Sequence, residues 1–155
     1  MQNLRHQFRR RLHLGHPLVL RATRLLRAQV WATGSHHEIA RVAACIADVE
    51  QLTLVAHARA EFPNECCGLI AGRDGVATRV LPATNAEGTP FMYVMDPREQ
   101  MELMEQIEDA GEDLLAIYHS HTRSAAYPSK TDVELAFFAE PLYVIVSLQD
   151  PDAPV

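Results

Sequence analysis

The chain has 155 residues, 48% of them hydrophobic and 22% charged, with three cysteines and a formal net charge of −6. That is enough apolar material for one domain with its own core and too little chain for two. Three cysteines, two of them adjacent (Cys66 and Cys67), exclude a disulfide framework and point to a reducing cytoplasm, and no run approaches the roughly 20 apolar residues of a membrane span.

The charge divides unevenly: Met1–Arg41 carries eight arginines against one acid, Glu38, whereas Val42–Val155 carries six basic residues against nineteen acids. Residues 1–41 therefore read as a basic, arginine-rich N-terminal extension, poorly ordered or forming a helix around Leu18–Trp31, and residues 42–155 as the functional domain. A transit peptide, a nucleic-acid arm and a stretch upstream of the functional start are the open alternatives for the extension. A nucleic-acid role is the least favoured, and its five histidines show no ligand spacing.

In the acidic part, Asp48 and Gln51 open a helix whose apolar face is Val49, Leu52, Val55 and Ala56, and Pro63 ends it. Cys66–Gly72, the turn Arg73-Asp74-Gly75 and Val76–Leu81 predict a hairpin. A loop, Pro82–Pro90, precedes a predicted strand, Phe91–Met95. Asp96-Pro97-Arg98-Glu99 then supplies an N-cap, a first-turn proline and a capping-box acid for a helix closed by Gly111. Met101, Leu103, Met104 and Ile107 form its buried stripe, with Glu102, Glu105, Glu108 and Asp109 as a solvated face. Leu114–Tyr118 and Leu142–Leu148 read as central strands, separated by a helix that Ser129 caps and that runs to about Ala139. This order predicts an α/β (α+β) domain in which helices flank one curved mixed sheet.

The chemistry concentrates in Tyr118-His119-Ser120-His121 and the loop that leads to Ser129-Lys130-Thr131-Asp132. In an extended strand, residues two apart face the same way, so His119 and His121 present both imidazoles to one side. Ser129 and Asp132, three apart on the first helical turn, point to one place. Two histidines and a carboxylate make a catalytic zinc set with a fourth position open to water. Taken alone, Ser-x-x-Asp is an ordinary helix cap and His-x-His a weak motif; joined by the seven-residue spacer they are specific. Glu65, where a helix gives way to an apolar strand, is the candidate general base, against the plainer reading of a surface glutamate. The Ser129 hydroxyl is the candidate oxyanion donor. Cys66 and Cys67 read as buried small residues, with a thiol ligand or nucleophile as the alternative, and His57 reads as a satisfied surface or core histidine.

His-Ser-His, seven residues, Ser-x-x-Asp and an upstream Glu before Cys-Gly-Leu-Ile-Ala-Gly resemble the JAMM (MPN-plus) metalloprotease family. The resemblance implies a cytidine-deaminase-like JAMM/MPN fold, zinc (Zn2+) on His119, His121 and Asp132, a catalytic glutamate at Glu65 and a catalytic serine at Ser129. It is nearest to the bacterial Mec-like enzymes, carried by Tyr-His-Ser-His-Thr, Ala-Tyr-Pro-Ser-Lys-Thr-Asp-Val and Tyr-Val-Ile-Val-Ser, from about Ile46 to Pro151. A RadC-like continuation after His121 is missing. The Mec-like resemblance implies a partner, a ubiquitin-fold sulfur-carrier protein with a C-terminal Gly-Gly, from which cysteine is released. A general deconjugating protease and a non-catalytic MPN scaffold are the alternatives. Relatives of this kind continue past the strand Leu142–Leu148, so the resemblance also implies truncation at the C-terminus and an exposed sheet edge.

Overall fold

The computed structural model describes residues 29–31 and 50–149. Five strands, β1 (Gln29–Trp31), β2 (Cys67–Arg73), β3 (Val76–Ala83), β4 (Asp113–His121) and β5 (Leu142–Ser147), form one mixed sheet in the order β1-β5-β4-β2-β3. Only β4 and β5 are parallel neighbours; the other pairs are antiparallel. The helices are α1 (Glu50–Glu61), α2 (Pro97–Asp109) and α3 (Lys130–Leu135).

Alternation along the central strands sorts side chains onto two faces. Ile70, Ala116, Tyr118, Val144 and Val146 pack with Leu54, Val55 and Ala58 of α1. Leu69, Ile117 and Tyr143 face Leu103 and Ile107 of α2. His119 and His121 continue the Ile117 side, so the candidate site opens on the α2 face. The predicted mixed sheet flanked by helices is thus the observed architecture.

The hairpin turn follows from Asp74 and Gly75, both at positive φ (53° and 74°), as a two-residue loop between twisted strands requires. Arg73, at the end of β2, donates to the Ala110 and Gly111 carbonyls (2.7 and 3.3 Å) beyond the end of α2, and Gly111 terminates that helix at φ 64°. Gly68 sits where two neighbours leave no room: a Cβ there would lie 2.5 Å from the Leu81 carbonyl oxygen and 2.5 Å from the Tyr118 ring. Because β2 is held between β3 and β4, Gly68→Ala is expected to cost about 1–3 kcal/mol by overpacking. A thermal melt should record this as a fall of roughly 2–12 °C.

Several expectations are corrected. Gln29–Trp31, assigned to a basic helix, is a strand that pairs with the outer edge of β5; main-chain pairing across that edge outweighs local helical preference. The rest of the Leu18–Trp31 helix, and Asp48 and Val49, lie outside the described residues. On α1 the buried stripe is Leu54, Val55 and Ala58, and Ala56 is exposed. Phe91–Met95 forms no strand; its one ladder contact is an Asn85–Met95 bridge, because the Asn85 side chain takes the Met92 carbonyl and the Val94 N–H for itself. Met101 is exposed, and Leu103 and Ile107 carry the α2 contact. The Asp96 cap forms as expected, accepting from the Arg98 and Glu99 N–H groups, but Glu99 turns to the Thr84 N–H at 2.7 Å instead of closing the box. Helix α3 ends at Leu135 rather than near Ala139, since both backbone groups of Phe138 hydrogen-bond the Tyr143 hydroxyl.

Candidate active site

Strand β4 ends in His119, Ser120 and His121, all buried among side chains of the sheet. Their alternation places Ser120 between the two imidazoles but on the opposite face. There it stitches β4 to the start of β2: its hydroxyl accepts from the Cys66 N–H at 2.8 Å, and its own N–H donates to the Cys66 carbonyl at 3.1 Å. Cys67 lies opposite His119 in the antiparallel register, so Glu65, two residues before Cys67, enters the sheet at the end where β4 reaches His121. This is how a glutamate far away in sequence reaches the histidines.

The loop after β4 brings in the third group. It is anchored by Ser147, whose hydroxyl donates to the Ser124 carbonyl at 2.6 Å, and it delivers Ser129 as the N-cap of α3. Ser129 and Asp132 form a reciprocal capping box: Ser129 Oγ accepts from the Asp132 N–H at 3.1 Å, and Asp132 Oδ2 accepts from the Ser129 N–H at 2.6 Å. The ordinary helix-cap reading of Ser-x-x-Asp is therefore correct as structure, and it coexists with a second role. Asp132 also faces both imidazoles, with Oδ1 3.4 Å from His119 Nε2 and Oδ2 3.2 Å from His121 Nε2.

The two Nε2 atoms are themselves 3.2 Å apart. Four tetrahedral ligands at about 2.0–2.1 Å from a zinc ion are separated by about 3.3–3.4 Å, close to the spacing between the two Nε2 atoms and to the approach of each ring to its own oxygen of Asp132. Three convergent acceptor-type groups, two of them buried, fit a cation and would be poorly arranged without positive charge between them. His121 Nδ1 lies 2.9 Å from the Ala125 carbonyl, which fixes the proton on Nδ1 and leaves Nε2 free as a ligand. His119 Nδ1 is buried and meets no hydrogen-bond partner. Among the described residues, His119, His121 and Asp132 are the group able to hold a metal ion.

The electrostatics agree with this geometry. Burial pushes the Glu65 carboxyl up to about 7, opposed by His121 and reinforced by Asp132; these couplings put the carboxylate beside the cluster, and its Oε2 is buried without a partner. Burial opposes the charged form of Asp132 too, but the two histidines and Ser129 outweigh it and hold this carboxyl well below its usual range. His119 is lowered by burial. His121 is raised, because Asp132, the Ala125 carbonyl and Glu65 overcome its desolvation. Burial also pushes the thiols of Cys66 and Cys67 up to about 11 and about 12. Both stay protonated near neutral pH and are poor nucleophiles or ligands, as expected for buried packing residues. His57 meets the Tyr118 hydroxyl at 2.9 Å, on the far side of the sheet.

Two contributors lack a sequence signal. Tyr93 lies stacked on His119, with centroids 4.5 Å apart and planes 23° from parallel. Asn85 donates to the Glu65 carbonyl at 2.9 Å, while the Glu65 N–H donates to Thr89, so the loop after β3 clamps the backbone of the candidate base. An Asn in a turn-rich segment signals only a loop.

The chain is similar to several known proteins. The chain is 48% identical over 100 residues to the CysO-cysteine peptidase of Mycobacterium tuberculosis, spanning 63% of this chain and 68% of that one. It is 36% identical over 102 residues to a desampylase of Haloferax volcanii, spanning 61% and 73% of the two chains. A probable TtuB-protein conjugate cleaving protease of Thermus thermophilus is 42% identical over 91 residues, 58% of this chain and 60% of that one. The solution structure of a protein from Desulfitobacterium hafniense superposes with a TM-score of 0.63 at 39% identity, covering 70% of this chain and 77% of the other. Residues 48–154 match the family described as prokaryotic homologs of the JAB domain; with the match running through every element from α1 to β5, the chain belongs to that family.

Proposed function

We propose that this chain is a zinc-dependent peptidase that hydrolyses the amide bond after the C-terminal glycine of a ubiquitin-like sulfur-carrier protein and releases cysteine. The observation that carries this reading is the convergence of His119, His121 and Asp132 beside the buried Glu65, whose Oε2 meets no hydrogen-bond partner. Its membership of a family whose relatives are named as peptidases and conjugate-cleaving proteases supports hydrolysis. The 48% identity to a CysO-cysteine peptidase supports the cysteine-releasing form.

His119 Nε2, His121 Nε2 and an oxygen of Asp132 would hold the zinc ion. When bound there, zinc supplies Lewis acidity, which polarises a carbonyl and brings the pKa of water toward neutrality. Glu65 then acts as general base, taking a proton from the attacking water at its carboxylate and delivering it to the leaving amine nitrogen. Burial raises this carboxyl in the zinc-free chain, the direction that suits a group that must also return the proton. Ser129, whose oxygen already accepts from the Asp132 N–H, retains a hydroxyl proton to donate to the oxygen that gathers charge as the carbonyl is attacked. A Gly-Gly tail is slim enough to lie extended along the sheet margin, with main-chain hydrogen bonds setting its register.

Two relatives, a desampylase and a TtuB-conjugate protease, favour a second reading: removal of ubiquitin-like modifiers from lysine. Parallel assays of one carrier ending in Gly-Gly-Cys and the same carrier joined through Gly-Gly to a lysine side chain separate the two. The cysteine form should be cleaved at least about 10-fold faster in kcat/KM, a preference of about 1.4 kcal/mol. Faster release of lysine would move the assignment to deconjugation.

A further inference from the structure

The two histidines of the cluster are held in different ways. His121 has its Nδ1 fixed by the Ala125 carbonyl at 2.9 Å, the usual device by which a ligand ring is oriented and its tautomer set. His119 has no such bond, because its Nδ1 is buried and unpartnered. A ring without an outer hydrogen bond is free to rotate about χ2 unless packing stops it.

Packing does so here. Tyr93 lies nearly parallel to His119 with centroids 4.5 Å apart, while His121 meets the other ring edge-on, with centroids 5.0 Å apart and planes at 60°. Tyr93 is fixed in turn through its neighbours. Asn85 accepts from the Val94 N–H at 3.1 Å and donates to the Met92 carbonyl at 3.2 Å, gripping the backbone on both sides of Tyr93. The same Asn85 amide donates to the Glu65 carbonyl. One loop therefore holds the backbone of the acid and the ring that faces the histidine.

We propose that Tyr93 is a positioning residue for the metal centre: its ring face, rather than its hydroxyl, sets the plane of His119 and so aims Nε2 at the cation. This rests on the reading of His119, His121 and Asp132 as a zinc site. It predicts that Tyr93→Phe, which keeps the face, retains zinc affinity, whereas Tyr93→Leu, which fills space without it, weakens affinity by roughly 10–100-fold, the range typical of groups that orient a ligand. Phe138→Leu removes an aromatic ring packed against the same cluster of core residues as Tyr93, and is expected to leave affinity unchanged.

The test is zinc competition against a chromophoric chelator for the full chain and the three variants. It is paired with NMR of the His119 ring protons, which the Tyr93 face shifts upfield. The expected result is affinity within about threefold of the parent for Tyr93→Phe and Phe138→Leu, with both the affinity and the upfield shift lost in Tyr93→Leu. Unchanged affinity and ring shifts in Tyr93→Leu would overturn the proposal. So would Tyr93→Phe as weak as Tyr93→Leu, or an equal loss in Phe138→Leu, which would assign the effect to the hydroxyl or to general packing. A parent chain that binds no zinc at all would instead overturn the metal-site reading itself.

Discussion

Replacing Glu65 by glutamine is expected to remove turnover while making the zinc-free protein more stable at alkaline pH. The catalytic loss should be about 10²–10⁴-fold, the usual contribution of a positioned acid–base group, with zinc still bound because Glu65 is not among the three converging ligands. The gain in stability follows from burial. Glu65 is 5% exposed, and its carboxyl rises from an ordinary 4.5 to about 7. Between these values the folded chain binds more protons than the unfolded one, so folding stability falls as pH climbs through that window and stays depressed above it. The penalty is up to about 3 kcal/mol. Thermal melts with chelator should therefore show Glu65→Gln above the parent at pH 8 and the two converging near pH 4.5. A parent and variant that melt together at pH 8 would mean that Glu65 is solvated and not poised. The trade of stability for activity is the expected mark of a buried catalytic acid.

Removing the Asp132 carboxylate should have the other large effect. Asp132→Ala deletes one of three convergent donors, so zinc affinity should fall by more than the about 10–100-fold that an outer-shell loss costs, with turnover falling with it. It also deletes half of the capping box. The zinc-free fold should lose about 1.5–3 kcal/mol, the worth of the charged hydrogen bond from the Ser129 N–H, visible in chelated melts. Because Asp132 is a main reason His121 sits above its ordinary 6.5, the His121 ring of the zinc-free variant should titrate at lower pH than in the parent, a shift readable by NMR. Ser129→Ala is the contrast: it removes the cap acceptor but leaves the backbone N–H that steadies Asp132 Oδ2. Zinc should stay, while turnover falls with the lost oxyanion donor and the helix cap weakens.

Features written in local pattern were legible before the structure. His-x-His on a strand and Ser-x-x-Asp on a helical first turn fix the directions of four side chains through backbone geometry alone. Asp74-Gly75 specifies its hairpin and Asp96-Pro97 its helix start in the same way. Features set by distant backbone were not. Gln29–Trp31 pairs with β5 more than a hundred residues later, and nothing in three residues announces that. Phe91–Met95 is an apolar run that reads as a strand, yet Asn85 claims the Met92 carbonyl and the Val94 N–H. Local pattern marks Glu65 only as an acid before an apolar strand, and its catalytic role comes from the family resemblance; the Cys66–Ser120 pairing is what brings it to the histidines. Tyr93 is one aromatic among several until the fold lays it over His119.

The most direct test of the account is intact-mass analysis of a ubiquitin-fold carrier ending in Gly-Gly-Cys, incubated with this chain as purified, after chelation, and after zinc is restored. The carrier is expected to lose one cysteinyl residue, a loss abolished by the chelator and recovered with zinc. Cleavage that persists fully in chelator, or a carrier mass unchanged by the zinc-loaded chain, would contradict it.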